Sequence, residues 1–175
     1  DQTQLILLMI LVQFASVFGA YISGIYGERV GFMRALIASL VLMIGAVVWM
    51  LFNQTLVGFF IIASLAGFAL TGVQAVTRTM TGVFAPKGQS AEFYSFFAIA
   101  GKTSSFIGPT VYGLLATGVA LRLEAGGMEV LLAEQAGQRA GILSIAVFLV
   151  VGLGILLSVS EQRARKAALE YAPAD

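Results

Sequence analysis

Lys102 is the residue best placed to do chemistry in this chain, because it is the single charge in the apolar stretch 93–115. A charge at membrane depth costs at least ~2.5–3.5 kcal/mol unless it meets a partner or water. Its helix is expected to begin near residue 93, which at ~1.5 Å per residue puts Lys102 ~15 Å deep, close to the bilayer midplane. An ammonium at that depth can bind an anionic group or pair with a carboxylate.

Two interpretations of Lys102 remain open. In the first, Lys102 faces a polar cavity together with the hydroxyls of residues 103–105. In the second, it donates a structural hydrogen bond to a backbone carbonyl that Pro109 leaves unpaired. Gly108 and Pro109 are predicted to kink this helix, since proline removes a backbone hydrogen bond. Such a bend is typical of a moving gate and is also common in purely structural helices.

Further polar side chains recur at helical spacing on the preceding apolar segment. Thr71, Gln74 and Arg78 follow an i, i+3, i+7 pattern, so we expect them on one helix face. We group Thr71 and Gln74 with Lys102 and Ser105 as candidate residues of the polar cavity. Arg78 lies at the end of its segment, where an arginine can also simply extend its charge to the membrane surface.

A second candidate pair involves Arg78 and Glu92, which flank one polar connection. Glu92 begins the next helix, where a carboxylate is favoured by the helix dipole. An ion pair between the two side chains would close that side of the protein. The alternative is that Glu92 is an ordinary first-turn charge without a partner.

Composition restricts the class of protein. Hydrophobic residues make up 59% of the 175 residues and charged residues 11%, against roughly 45–50% and ~25% in soluble domains. Cysteine and histidine are absent, which excludes thiolate chemistry, disulfides and the commonest metal ligands. No catalytic constellation, phosphate-binding loop or nucleotide motif occurs. We therefore expect a membrane protein that is no enzyme and has no metal, no cofactor and no nucleic-acid partner.

Five segments have the length of a membrane span, since a helix needs about 20 apolar residues to cross ~30 Å of hydrocarbon. The chain is thus predicted to be an all-α polytopic membrane protein with the lipid bilayer as its partner. A polar tail, 159–175, follows the bundle 1–158. The predicted spans are 5–23, 32–52, 56–76, 93–117 and 140–158.

The basic residues predict the orientation of these spans. The connections 24–31 and 77–92 and the tail carry most of them, and the positive-inside rule places these parts in the cytoplasm. The N-terminus is then outside, so we expect at least one further helix upstream. The connection 118–139 falls outside as well, and its part 128–135 is either an amphipathic helix on the membrane surface or a solvated loop. The basic residues on the cytoplasmic side are Arg29, Arg34, Arg78, Lys87, Arg163, Arg165 and Lys166.

The connection 24–31 contains a recognisable pattern of glycine and charge. Gly24, Glu28, Arg29 and Gly31 match the inter-helix loop G-x-x-x-[D/E]-[R/K]-x-G-[R/K], and the chain here resembles the major facilitator superfamily. Phe32 stands where a basic residue is usual. The alternative is a generic glycine-rich turn.

A longer match lies in residues 72–109, which resemble the vacuole-effluxer-like branch of that superfamily, the autophagy-related amino-acid exporters. Both residue types and spacings agree across two helices and their connection. The matching residues are Gly72, Gln74, Arg78, Pro86, Gly88, Glu92, Phe93, Tyr94, Gly101, Lys102, Ser105, Gly108 and Pro109.

The resemblance implies that the five spans are the last five of a twelve-helix carrier, whose N-terminal helices are then partners of this bundle. It also implies transport of small solutes by alternating access, with amino-acid efflux as the expected activity and a bacterial inner membrane as the location. The candidate cavity residues would then contact the solute. A different class remains open, namely a transporter-like structural or assembly subunit of a larger membrane complex, in which Lys102 would be buried against protein.

Overall fold

The computed structural model describes residues 2–86 and 88–170. These residues form helices, with no strand among them, and five of the helices are long and apolar enough to cross a membrane. The prediction of an all-α polytopic membrane protein is confirmed. Lys87 and residues 171–175 of the predicted tail lie outside the described residues. The helices are α1 (Gln2–Val30), α2 (Phe32–Phe52), α3 (Leu56–Phe84), α4 (Ser90–Ala125), α5 (Val130–Ser158) and α6 (Glu161–Glu170).

Most helices extend beyond the spans predicted from hydropathy. Helix α1 has 29 residues and α4 has 36, which at ~1.5 Å per residue exceeds the ~30 Å hydrocarbon core. Hydropathy detects the part in hydrocarbon, whereas the backbone stays helical through the polar headgroup region. Residues 24–30 therefore belong to α1, and residues 130–135 belong to α5 rather than to a surface helix or a solvated loop.

Helices α1 and α3 run parallel and pack closely through small residues. A Cβ at Gly67 would lie 2.8 Å from the side chain of Val12, and a Cβ at Gly19 would meet the backbone of Phe68. The hydroxyl of Thr71 donates a hydrogen bond of 2.8 Å to the carbonyl of Ser16 across this contact. Glycine and hydroxyl residues at such contacts let two membrane helices approach closely.

Helices α4 and α5 form a second closely packed pair. A Cβ at Gly137 would meet the backbone carbonyl of Ala116, and one at Gly141 would lie 2.6 Å from the ring of Tyr112. The turn between the helices is short, with Gly127 in a left-handed conformation at φ 88°. The predicted connection 118–139 is therefore mostly helix. Gly137 within it belongs to the packing surface between α4 and α5.

The buried apolar core lies between the first turns of α2 and the last turns of α3, near the α1–α2 and α3–α4 connections. We call this end of the bundle the basic end, after Arg29, Arg34 and Arg78. Leu156 near the end of α5 packs against this core, so α5 also ends there, followed by α6. Helix α4 contributes no buried residue. The core residues are Met33, Ala35, Leu36, Val76 and Met80.

Candidate functional site

Lys102 lies on α4 with its side chain exposed. In the described part of the chain its ammonium makes no hydrogen bond and no ion pair. The structure thus shows an ammonium on an apolar helix, and no described residue neutralises it. The second interpretation, a structural bond to a carbonyl freed by Pro109, is not formed in this structure.

Lys102 lies nearer to the start of α4 than to its end. Along the helix, Lys102 lies ~15 Å from Glu92 and ~30 Å from Arg122, the two charges that flank the apolar part. The expectation of a midplane position counted residues from a helix start near residue 93. Helix α4 begins at Ser90, and the depth of Lys102 in the bilayer stays a prediction.

The hydroxyls around Lys102 are bonded to their own helix. Ser105 donates to the carbonyl of Lys102 at 2.7 Å, Thr103 to Ile99 at 3.0 Å and Ser104 to Ala100 at 2.9 Å. Their protons are therefore in use, while their oxygen lone pairs remain available as acceptors. Pro109 lies inside an uninterrupted helix, so the predicted kink at Gly108 and Pro109 stays a prediction.

Thr71 and Gln74 do not share the surroundings of Lys102. The hydroxyl of Thr71 faces α1 and has the carbonyls of Ser16 and Gly67 within 2.8 and 2.9 Å. The side chain of Gln74 is exposed, and no hydrogen bond of its amide group occurs among the described residues. The structure therefore does not bring Thr71, Gln74, Lys102 and Ser105 into one pocket, and their joint role stays a prediction.

Arg78 and Glu92 are both exposed and are not paired in this structure. Instead, the hydroxyl of Tyr94 donates a hydrogen bond of 3.2 Å to the backbone carbonyl of Arg78 and so links α4 to α3. A cleft of about 330 Å³ lies beside this link, between α2, α3 and the first turns of α4. Helix α4 is therefore loosely attached at the basic end. The cleft is lined by Leu36, Thr77, Met80, Thr81, Phe84, Phe93 and Phe97.

The glycines of the first motif have different roles. Gly31 has a φ of 108°, a backbone conformation that favours glycine, and it separates α1 from α2. Gly24 lies inside α1 with open space where a Cβ would be. The close approach occurs at Gly27, where a Cβ would lie 2.7 Å from the ring of Phe32. Glu28 and Arg29 are exposed and form no ion pair with any described residue.

Glu161 was not among the residues that the sequence singled out. Its carboxylate accepts a hydrogen bond of 3.2 Å from the backbone amide of Met33, which is 128 positions away in the chain. The sequence feature that could have indicated Glu161 is its position as a carboxylate at the start of a polar helix directly after a membrane span. Within the described residues, no group of carboxylates is placed to hold a metal ion.

The fold and the site define an integral membrane protein of the α-helical polytopic class, with isolated polar and charged side chains on otherwise apolar helices. The chain belongs to the family described as Vacuole effluxer Atg22 like, whose profile matches residues 1–119.

Individual relatives come from fungi and bacteria. The chain is 31% identical over 106 residues to Autophagy-related protein 22-1 of Aspergillus clavatus, which covers 61% of this chain and 15% of that protein. It is 27% identical over 158 residues to a Bacillus subtilis protein named Uncharacterized MFS-type transporter YxiO, which covers 89% of this chain and 33% of that protein. The chain thus spans about a third or less of the length of these relatives. No solved structure matches the chain.

Proposed function

We propose that the full-length protein is a secondary transporter of small solutes that works by alternating access, and that these five spans are the last five of twelve. The observation that carries the proposal is the exposed side chain of Lys102, which pairs with no described residue, on a helix without a buried residue. Family membership and the MFS-type relative support the same conclusion.

We infer that water or other parts of the protein meet the surface of α4 around Lys102. Phe96, Phe106 and Leu114 are 72%, 74% and 70% exposed, which is compatible with lipid or with further apolar helices. The charge of Lys102 is compatible with neither lipid nor a dry apolar contact, because an unpaired ammonium in hydrocarbon is costly. Water or a carboxylate from the N-terminal helices must therefore meet this part of α4.

Amino acids are the substrate class that we infer for this site. Each carries a carboxylate that an ammonium can bind, and the hydroxyl oxygens of Thr103 and Ser105 can accept hydrogen bonds from an amino group. The direction would be efflux, as in the description of the family. Transport of this kind requires no cofactor and no bond-making step by the protein.

The basic end would face the cytoplasm of a bacterium, with the C-terminal tail on the same side and the protein in the inner membrane. The support is the excess of arginine and lysine at this end. In a cysteine-free background, Gln162→Cys should be unreactive toward impermeant thiol reagents outside intact cells. Labelling from outside would contradict the orientation.

The proposal is tested by transport in vesicles that contain the full-length protein and a panel of amino acids. Lys102→Met keeps the apolar volume of the stem and removes the charge, so the variant should insert as well as the parent and lose transport. Lys102→Arg should retain part of the activity, because a planar guanidinium does not replace a compact ammonium. Lys166→Met removes a lysine from α6 and is the matched control. Full transport by Lys102→Met would contradict the cavity role of Lys102 and leave it as a structural residue, whereas no transport by the parent with any amino acid would contradict amino acids as its substrates.

A further inference from the structure

The first turn of α2 has an amide that its own helix cannot satisfy. The first four N–H groups of any helix lack an intrahelical acceptor and are usually capped by a side chain at the preceding residue. That residue is Gly31, which has no side chain. Its φ of 108° is a backbone conformation that favours glycine. The N-terminus of α2 therefore needs a cap from elsewhere in the chain.

Glu161 supplies this cap from the opposite end of the chain. Its Oε2 lies 3.2 Å from the amide nitrogen of Met33, and a Cβ at Gly31 would lie 3.5 Å from the same oxygen. A carboxylate at a helix N-terminus is stabilised both by the hydrogen bond and by the helix dipole. A Cβ at that distance would be in ordinary van der Waals contact, so the φ of Gly31, and not the carboxylate, favours glycine at this position.

Apolar contacts also join the end of α5 to the start of α2. Leu156, two residues before the end of α5, packs on the buried cluster that contains Met33 and Leu36. Helix α5 ends at Ser158, and α6 begins at Glu161. The short break between the two helices places the Glu161 carboxylate over the start of α2.

We propose that Glu161 is a positioning residue that fastens the C-terminal tail to the first turn of α2. This tail clasp, formed by Glu161, Gly31 and Met33, holds the ends of α2 and α5 together at the basic end. Helix α4 stands outside it, since α4 is linked to α3 by Tyr94 and otherwise packs on α5. The clasp thus acts at the contact between α2 and the end of α5, and α4 follows α5 through their packed interface.

The clasp is tested by hydrogen exchange on the full-length protein in lipid nanodiscs, a measurement that does not depend on transport. Glu161→Ala should speed exchange of the Met33 amide about tenfold, which corresponds to ~1.4 kcal/mol. Glu161→Gln keeps an acceptor oxygen without the charge and should have a smaller effect at the same amide. Glu170→Gln removes an equal charge from α6, where Glu170 pairs with Lys166 at 3.6 Å, and should leave exchange of the Met33 amide unchanged.

A second readout follows the tail itself. A spin label on Gln162→Cys in a cysteine-free background should become more mobile with Glu161→Ala and not with Glu170→Gln. Unchanged exchange at Met33 in Glu161→Ala would overturn the clasp. An equal acceleration in all helices would also overturn it, because that result describes a general loss of stability rather than a local contact.

Discussion

The hydroxyl of Tyr94 on α4 donates a hydrogen bond of 3.2 Å to the backbone carbonyl of Arg78 on α3. This bond spans the basic end at the point where a cleft separates the two helices. A Cβ at Gly82 would lie 2.9 Å from the same hydroxyl, so α3 presents a glycine where Tyr94 crosses it. The attachment of α4 to α3 therefore depends on one phenol rather than on a pair between Arg78 and Glu92.

Tyr94→Phe removes this bond and keeps the ring. We expect the first turns of α4 to become more mobile, with a loss of about 0.5–1.5 kcal/mol in the attachment. Hydrogen exchange in residues 90–97 measures the change. Tyr112→Phe is the control, because the ring of Tyr112 packs on Gly141 of α5 and no hydrogen bond of its hydroxyl occurs in the described chain. Equal exchange in both variants would show that the Tyr94 bond is not formed in solution.

The contact between α4 and α5 predicts a strong effect at Gly137. A Cβ there would collide with the backbone carbonyl of Ala116, which cannot move aside as a flexible side chain can. Gly137→Ala should therefore lower stability by ~1–3 kcal/mol and reduce the thermal unfolding temperature of the purified protein. Gly152→Ala on the same helix meets nothing within 4 Å and should be neutral or stabilising. Matching unfolding temperatures for the two variants would argue against this helix crossing.

Two glycines of the same motif should respond in opposite ways to alanine. Gly31→Ala forces an L-residue to a φ of 108°, which costs ~1–3 kcal/mol. Gly24→Ala fills open space in the middle of α1, where alanine is favoured over glycine by roughly 0.5–1 kcal/mol. Thermal unfolding of the two variants checks this difference. Destabilisation by Gly24→Ala as large as that by Gly31→Ala would contradict the assigned roles.

The number of spans and the helical class could be predicted from the sequence, because burial in hydrocarbon demands long apolar runs. The ends of the helices could not. Glu28 and Arg29 look like loop residues by polarity, yet they continue α1 to Val30, since the headgroup region accepts charged helical residues. In the same way, the polarity of Glu134 and Arg139 is typical of a connection, yet both residues lie in α5. Gly137 between them therefore looks like a loop glycine, although it packs on α4.

The site was predicted only as far as single residues allow. Lys102 is recognisable because one charge on an apolar segment needs an explanation. The spacing of Thr71 and Gln74 places them on one helix face. The hydroxyl of Thr71, however, donates a hydrogen bond to the carbonyl of Ser16 on α1, and helical periodicity does not reveal a partner on another helix. The contact between Glu161 and Met33 joins residues 128 positions apart, and local patterns carry no information at that separation.

The central claim is that Lys102 lies in a water-filled transport path, and its accessibility tests this most directly. In a cysteine-free full-length protein, Lys102→Cys should react with a charged, membrane-impermeant thiol reagent. Val147→Cys on α5, an exposed apolar position at a similar distance from the basic end, should stay unreactive because lipid keeps its thiol from ionising. Absence of reaction at position 102 in open vesicles would contradict the claim and leave Lys102 buried against protein.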